Sequence, residues 1–298
     1  MSERIDYDEF GLFADNVAEF GLGVSASPLV RRVAHRTRSG ETVSGLLWGV
    51  GDPRVVLVHG GAQNAHTWDT VALDLAMPLL AVDLPGHGHS SWRDDGDYRP
   101  ATLAAEIAGA IESLAGDAEM VVGMSLGGLT SLALAGLRPD LVRRLVLVDI
   151  TPGVTDAKAK AITDFVNGPQ TFANFDELLR RTMEHNPTRS EASLRRGILH
   201  NAVQLDDLTW RWRYDRRGHP DQPDRSRIAA GLWDVLAATT CPLALVRGAL
   251  SPVVDDGDVA ELLRRRPDAN VHVVPDAGHS VQGDQPRVMA RIIRDFLP

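Results

Sequence analysis

The segment Met120-Val-Val-Gly-Met-Ser-Leu-Gly-Gly128 sets a serine between two glycines, in the pattern G-x-S-x-G, where an apolar run gives way to a helical one. A hydroxyl acts as a nucleophile when it projects from the backbone toward a base, and a tight strand-to-helix bend achieves that projection with a strained backbone. Side chains at Gly123 and Gly127 would collide in such a bend. The helix start behind Ser125 also leaves free N–H groups and a positive dipole end beside a developing oxyanion. Taken alone, the motif is moderately specific, and a glycine-rich helix start used for packing is the lesser reading. Three more segments stand directly behind apolar runs: His59-Gly-Gly-Ala62, Asp83-Leu-Pro-Gly-His-Gly-His-Ser90 and Asp276-Ala-Gly-His279. A backbone N–H after His59-Gly60 can point at the same carbonyl oxygen as the N–H of Leu126.

Short strand-like and helical patterns alternate over residues 29–150. Residues 29–35 and 42–50 read as a strand pair joined at Ser39-Gly40. Residues 54–58, 79–82, 120–123 and 144–149 are apolar on both faces, as parallel strands covered by helices require. Helical spacing spans 101–114 (Leu103, Ile107, Ile111, Leu114) and 126–137. This alternation predicts a doubly wound, mostly parallel α/β sheet. Between 152 and 238 the strand signal nearly stops, and helices are expected at 156–166, 174–185, 191–202 and 225–236. Asn174 with Glu177 and Thr188 with Glu191 resemble N-cap and N3-acid pairs. The sheet pattern then returns with strands at 243–246 and 271–274 and helices at 258–265 and 285–296. The expected organisation is a core domain of residues 1–151 and 239–298 interrupted by a helical cap at 152–238. Residues 1–27 show no clear element; Phe10-Gly-Leu and Phe20-Gly-Leu echo each other without making a repeat.

Together the four motifs, in their order over residues 29–152 and 240–298, resemble the α/β-hydrolase fold family. The resemblance implies Ser125 as nucleophile, His279 as general base, and Gly61 and Leu126 as oxyanion-hole donors. It disfavours haloalkane dehalogenases and epoxide hydrolases, which need an aspartate where Ser125 stands. Asp83 and the Gly-x-Gly behind it read as turn-shaping residues.

The acid that orients the histidine departs from the family's common pattern. It usually follows the strand read at 243–246, yet this chain has Gly248-Ala-Leu-Ser251-Pro252, with serine at the expected aspartate. A hydroxyl carries no charge to offset an imidazolium. Asp149, Asp255 and Asp256 remain. Asp149 ends the strand 144–149 at the carboxyl edge, where this fold places its site, and a subgroup of the family has its acid there with a small hydroxyl residue at the later position. Asp255 and Asp256 precede a helix, where acids cap N–H groups. Asp149 is preferred, with Ser251 as an auxiliary to the His279–Asp149 pair and Asp255 as the alternative acid.

The remaining signals are weaker. His87 and His89 lack partners at a metal-site spacing, and His66 suits a pocket mouth or simple packing. Trp210-Arg-Trp-Arg-Tyr214 alternates rings with cations, as a single-stranded nucleic-acid platform would. The net charge of −9 over 298 residues argues against such a basic footprint, so an extended piece closing the cap is expected. Hydrophobic content of 44% and charged content of 24% exclude disordered, collagenous and coiled-coil classes. No apolar run is long enough for a membrane helix, the charged N-terminus has no signal-peptide pattern, and the single Cys241 suits a reducing compartment, so a cytoplasmic protein is expected. The expected activity is hydrolysis of a carboxylic ester of a small or medium hydrophobic substrate through an acyl-enzyme. No cofactor, metal, nucleic acid or membrane is called for. Thioesters, lactones and carbon–carbon bonds would use the same residues; a cofactor-free lyase or perhydrolase and a non-catalytic receptor are the readings from other classes. Cap candidates for an apolar pocket are Phe165, Phe172, Phe175, Met183, Leu199, Trp210, Trp212 and Trp233.

Overall fold

The computed structural model describes residues 4–24, 27–216 and 225–298. In chain order its strands are β1 (Val30–Arg36), β2 (Thr42–Trp48), β3 (Val55–Val58), β4 (Leu79–Val82), β5 (Met120–Met124), β6 (Leu145–Val148), β7 (Thr171–Phe172), β8 (Ala202–Gln204), β9 (Trp210–Trp212), β10 (Leu243–Gly248) and β11 (Asn270–Val274). Eight of them form one sheet in the order β1-β2-β4-β3-β5-β6-β10-β11. β2 runs antiparallel to both its neighbours; every pairing from β4 to β11 is parallel.

All residues of β3 to β6 are buried, which is why their sequences are apolar on both faces. One face carries the helices Pro100–Ala115, Leu126–Leu137, Arg225–Ala238 and Asp256–Arg265, whose Leu103, Ile107, Leu132, Leu236 and Leu262 pack on Val56, Val121 and Leu145. The other is covered by Phe13–Phe20, Asp69–Leu75 and Pro286–Phe296, with Phe13, Trp68, Met289 and Ile293 against Leu57, Val122 and Val246. The chain leaves β3 for β4 on one side and returns through β5 on the other. The direction of winding therefore reverses between β3 and β5, opening a crevice at their carboxyl ends. His59-Gly60-Gly61 and Ser125 stand at that crevice.

The segment between β6 and β10 holds helices Asp156–Val166, Phe175–His185, Glu191–Asn201 and Arg225–Ala238. It also contains three short strands in the order β7-β9-β8, two of which the sequence pattern did not announce. β9 is the Trp-Arg-Trp run: Trp210 and Trp212 are buried with Phe172, Phe175 and Tyr214 in a separate apolar cluster, while Arg211 is exposed. Strands of two or three residues are too short to show a period, which is why composition hid them. The expected cap at Thr188 is displaced by two residues. Ser190 accepts the N–H of Ser193, and Thr188 instead donates to Asp284 at 3.1 Å. The helices Phe13–Phe20 and Asp69–Leu75 also went unread from the sequence.

Candidate active site

Ser125 occupies φ 51°, ψ −118° between β5 and the helix Leu126–Leu137. Its N–H donates to Val148 O at 3.1 Å, and its carbonyl accepts from Gly128 and Leu129, so the bend is held from both sides. Glycine at 127 is obligatory: a β-carbon there would stand 2.3 Å from the carbonyl oxygen of His59. A side chain at Gly60 would meet Met124 Sδ at 2.4 Å and Ser125 Cβ at 3.2 Å. Residues 60 and 125 are thus pressed together by the adjacency of β3 and β5. Among the described residues neither the N–H of Gly61 nor that of Leu126 donates to a protein acceptor. Both residues stand at the head of the crevice beside the serine, Gly61 as part of the cavity wall that Ser125 shares.

Asp149 follows β6 in a left-handed conformation, φ 49°, with its side chain buried. Oδ1 accepts the N–H of Gly248 at 3.0 Å; Oδ2 meets His279 Nδ1 at 2.7 Å and also accepts the hydroxyl of Ser251. These contacts fix the imidazole and assign Nδ1 as the donor, which leaves Nε2 as the basic nitrogen. Nε2 is buried with no protein partner. It makes no hydrogen bond to Ser125 here, although both residues border the same cavity of about 440 Å3; such contacts commonly tighten only with substrate bound.

Asp255 makes other contacts. It caps the helix Asp256–Arg265 by accepting Asp258 N–H at 3.0 Å, and pairs with Lys158 at 2.8 Å. Asp256 binds Arg247 at 2.7 Å on the surface. Neither contacts His279. Asp83 is buried, accepts the N–H groups of Ala65 and His89, and pairs with Arg32 at 2.7 Å, as a turn-shaping acid should. His59 donates to the Gly60 carbonyl and accepts the N–H of Leu84 at 2.9 Å. Burial depresses its pKa to about 3, so it is a neutral strut between the ends of β3 and β4.

The pocket-lining residues came only partly from the sequence. Of the apolar candidates, Phe165 reaches the nucleophile's cavity and Trp212 an adjoining chamber. Phe172, Phe175 and Trp210 are buried in the cap cluster and Trp233 in the sheet core; Leu199 packs on the cap cluster and Met183 is exposed. The wall is built by one face of the helix Asp156–Val166, whose Lys158, Ala161, Ile162, Phe165 and Val166 recur at helical spacing. That helix buries none of its residues fully. Ile162, Phe165 and Val166 of that stripe also pack at the edges of the sheet and cap clusters. Asp284 was missed as well: its Oδ2 accepts Gly278 N–H at 2.7 Å, holding the loop that carries His279, and burial raises its pKa.

A buried polar network lies behind the oxyanion loop. His66 bridges Asp69 (2.8 Å) and Glu9 (3.1 Å) and stacks on His200 with centroids 3.8 Å apart and planes 7° apart. His66, Asp69 and His200 could in principle share a cation. A metal sits near the plane of each imidazole that binds it, and two stacked rings cannot both meet that condition at one point. Burial lowers the imidazolium's stability, but Asp69 and Glu9 outweigh it and raise the pKa of His66 to about 9.

Family comparison agrees with the fold read from the sheet order. The model of the alpha/beta hydrolase family matches residues 55–292. The chain belongs to the α/β hydrolase family. It is 46% identical to the esterase Rv0045c of Mycobacterium tuberculosis over 99% of this chain and 97% of that protein. A solved structure of that esterase superposes with a TM-score of 0.86 over 98% of this chain and 99% of the other. The 3-hydroxybutyrate-oligomer hydrolase of Cupriavidus necator is 31% identical over 78% of this chain and 85% of that one. The crystal structure of E-2-(acetamidomethylene)succinate hydrolase gives a TM-score of 0.76 at 26% identity, covering 89% and 99% of the two chains. Among the described residues of this α/β hydrolase no helix is long and apolar enough to cross a membrane.

Proposed function

We propose that this α/β hydrolase is a serine carboxylesterase with Ser125, His279 and Asp149 as its triad. The carrying observation is the 2.7 Å pairing of His279 Nδ1 with buried Asp149, which leaves Nε2 free on the cavity that Ser125 borders. Nε2 takes the hydroxyl proton as Ser125 Oγ attacks the ester carbonyl, and Asp149 offsets the charge of the resulting imidazolium. The N–H groups of Gly61 and Leu126 receive the negative charge of the tetrahedral intermediate, each such donor being worth about 3–4 kcal/mol when judged by removal. Collapse expels the alcohol, which receives the proton from Nε2. Water, deprotonated by the same nitrogen, then attacks the acyl-enzyme; the acid is released and the Ser125 hydroxyl restored.

A cavity of about 440 Å3 walled by Ala161, Ile162, Phe165 and Val166 suits a small or medium ester with an apolar acyl or alcohol part. Ester hydrolysis also fits the Rv0045c relative, an esterase. The single cysteine fits a cytoplasmic setting.

The test is labelling by a fluorescent alkyl phosphonate, followed by a chain-length panel of 4-nitrophenyl esters. Wild type should be labelled and hydrolyse the shorter esters. Ser125→Ala should lose the label and nearly all turnover. Equal labelling of both proteins would refute the nucleophile assignment.

A further inference from the structure

A second chamber of about 140 Å3 adjoins the nucleophile's cavity, the two sharing Ala62, Gln63, Phe165, Asn186 and Ser280 in their walls. Most of the other residues in its wall are polar, beside Leu194, Ile198 and Trp212. Four of its residues hold a buried polar atom with no protein partner: Arg189 Nε, Gln282 Oε1, Asp69 Oδ1 and His200 Nε2. Buried polar atoms are normally satisfied, so in this chamber their partners are water or the polar group of a ligand.

The charges decide which group. Asp69 is already matched by His66 at 2.8 Å, and the chamber's Arg196 is held by Glu19 and by Asn16 at 2.9 Å. Arg189 differs. Its guanidinium donates to Ser193 Oγ at 2.6 Å, and among the described residues no carboxylate comes within ion-pair distance. Asp284 and Glu19 attract it from further off, but the oxygens of Asp284 are engaged by Gly278 N–H and the Thr188 hydroxyl, and Glu19 holds Arg196. The guanidinium lies against Gly283, where a β-carbon would stand 3.0 Å from Cζ. Gly283 in turn donates to Ser280 O at 2.8 Å, one turn beyond His279. The cation therefore sits close behind the loop of the general base, in a chamber continuous with the reacting site. Arg189 is part-buried with its Nε fully covered, and a desolvated charge without a close counter-ion is costly.

We infer that Arg189 is a specificity residue that binds a carboxylate on the substrate, so that the ester is a monoester of a short dicarboxylic acid or a like molecule with an anionic end. The inference rests on the esterase reading above. The scissile carbonyl lies at Ser125, the chain follows the shared wall past Phe165 and Asn186, and its far carboxylate receives the guanidinium N–H groups. A planar guanidinium matches a carboxylate better than any neutral end group. A substrate with an uncharged end leaves Arg189 unpaired and is rejected for that reason.

The experiment compares 4-nitrophenyl monoesters of five-, six- and seven-carbon dicarboxylic acids with isosteres ending in a primary amide. The readout is the ratio of kcat/KM for acid-ended over amide-ended substrate, which does not depend on the fraction of protein folded. Wild type should show a ratio of about 10 or more at one chain length at least, the scale of a charged hydrogen bond, expressed mainly in KM. Arg189→Gln should bring the ratio near one. Arg195→Gln, which alters an exposed guanidinium over Phe175 outside the chamber, should keep it. A wild-type ratio of one or below at every length, or an unchanged ratio in Arg189→Gln, overturns the proposal. If neither ester type releases nitrophenol, the esterase reading fails, and calorimetric titration of glutarate and adipate decides the subsite. Binding lost in Arg189→Gln supports it; no binding to wild type overturns it.

Discussion

Ser251 donates its hydroxyl hydrogen to Oδ2 of Asp149, the same oxygen that meets His279 Nδ1. The two residues lie behind neighbouring parallel strands, with Val148 of β6 in register with Val246 of β10. Either strand end can therefore present a side chain to the same imidazole. Here the carboxylate stands behind β6 and the hydroxyl behind β10, with Gly248 N–H completing the cradle. Each side chain supplies what the other lacks: charge from Asp149, a donor from Ser251.

Removing the charge while keeping the shape separates the candidate acids. Asp149→Asn should lower kcat by about 10⁴-fold, since the wrong tautomer is held and the imidazolium loses its counter-charge. Asp255→Asn should change kcat less than about twofold and leave stability nearly unchanged, since asparagine caps a helix about as well as aspartate. Steady-state kinetics and urea unfolding of the two variants check both, and the opposite ranking in kcat would transfer the acid's role to Asp255.

Because both strand ends reach His279, the carboxylate should be movable. Asp149→Ser alone should be nearly inactive. Adding Ser251→Asp should restore activity by about 10²-fold over that single variant, as a fraction of the roughly 10⁴-fold supplied by a triad acid. A double variant no more active than the single one would mean that position 251 cannot orient the ring, and that its contact with Asp149 is structural only.

His66 predicts how stability responds to alkali. Its folded pKa of about 9 exceeds the ordinary value of 6.5, with Asp69 and Glu9 outweighing burial. A raised pKa stabilises the fold fully below pH 6.5, progressively less from there to 9, and not at all above it. The shift corresponds to at most about 3 kcal/mol. Urea unfolding of wild type and His66→Gln should show a stability gap at pH 6 that narrows by about 1–3 kcal/mol at pH 9.5. A gap that does not vary with pH would mean that the ring binds its proton no more tightly in the folded protein than in the unfolded chain.

Much of this was legible along the chain, for identifiable reasons. β3 to β6 read clearly because buried parallel strands must be apolar on both faces. Gly123, Gly127 and Ser125 read clearly because a strained bend admits few residue types. Thr188 misled because Asp284, distant in sequence, claims its hydroxyl, and β7 and β8 are too short for any period to show. The helix Asp156–Val166 was read as a helix, but nothing local said that its apolar stripe borders a cavity.

Local sequence determined the chemistry available: a hydroxyl on a bend, an imidazole behind a strand, free N–H groups at a helix start, and several acids. Each of these depends on residues only a few positions apart. Which acid meets the imidazole, across 130 residues, was decided by the lateral order of β6, β10 and β11. That Arg189 stands against Gly283 with no carboxylate at ion-pair distance among the described residues is likewise a product of tertiary packing. Strand order and packing rest on many weak contacts summed over the whole molecule, and no short stretch of the chain carries that sum.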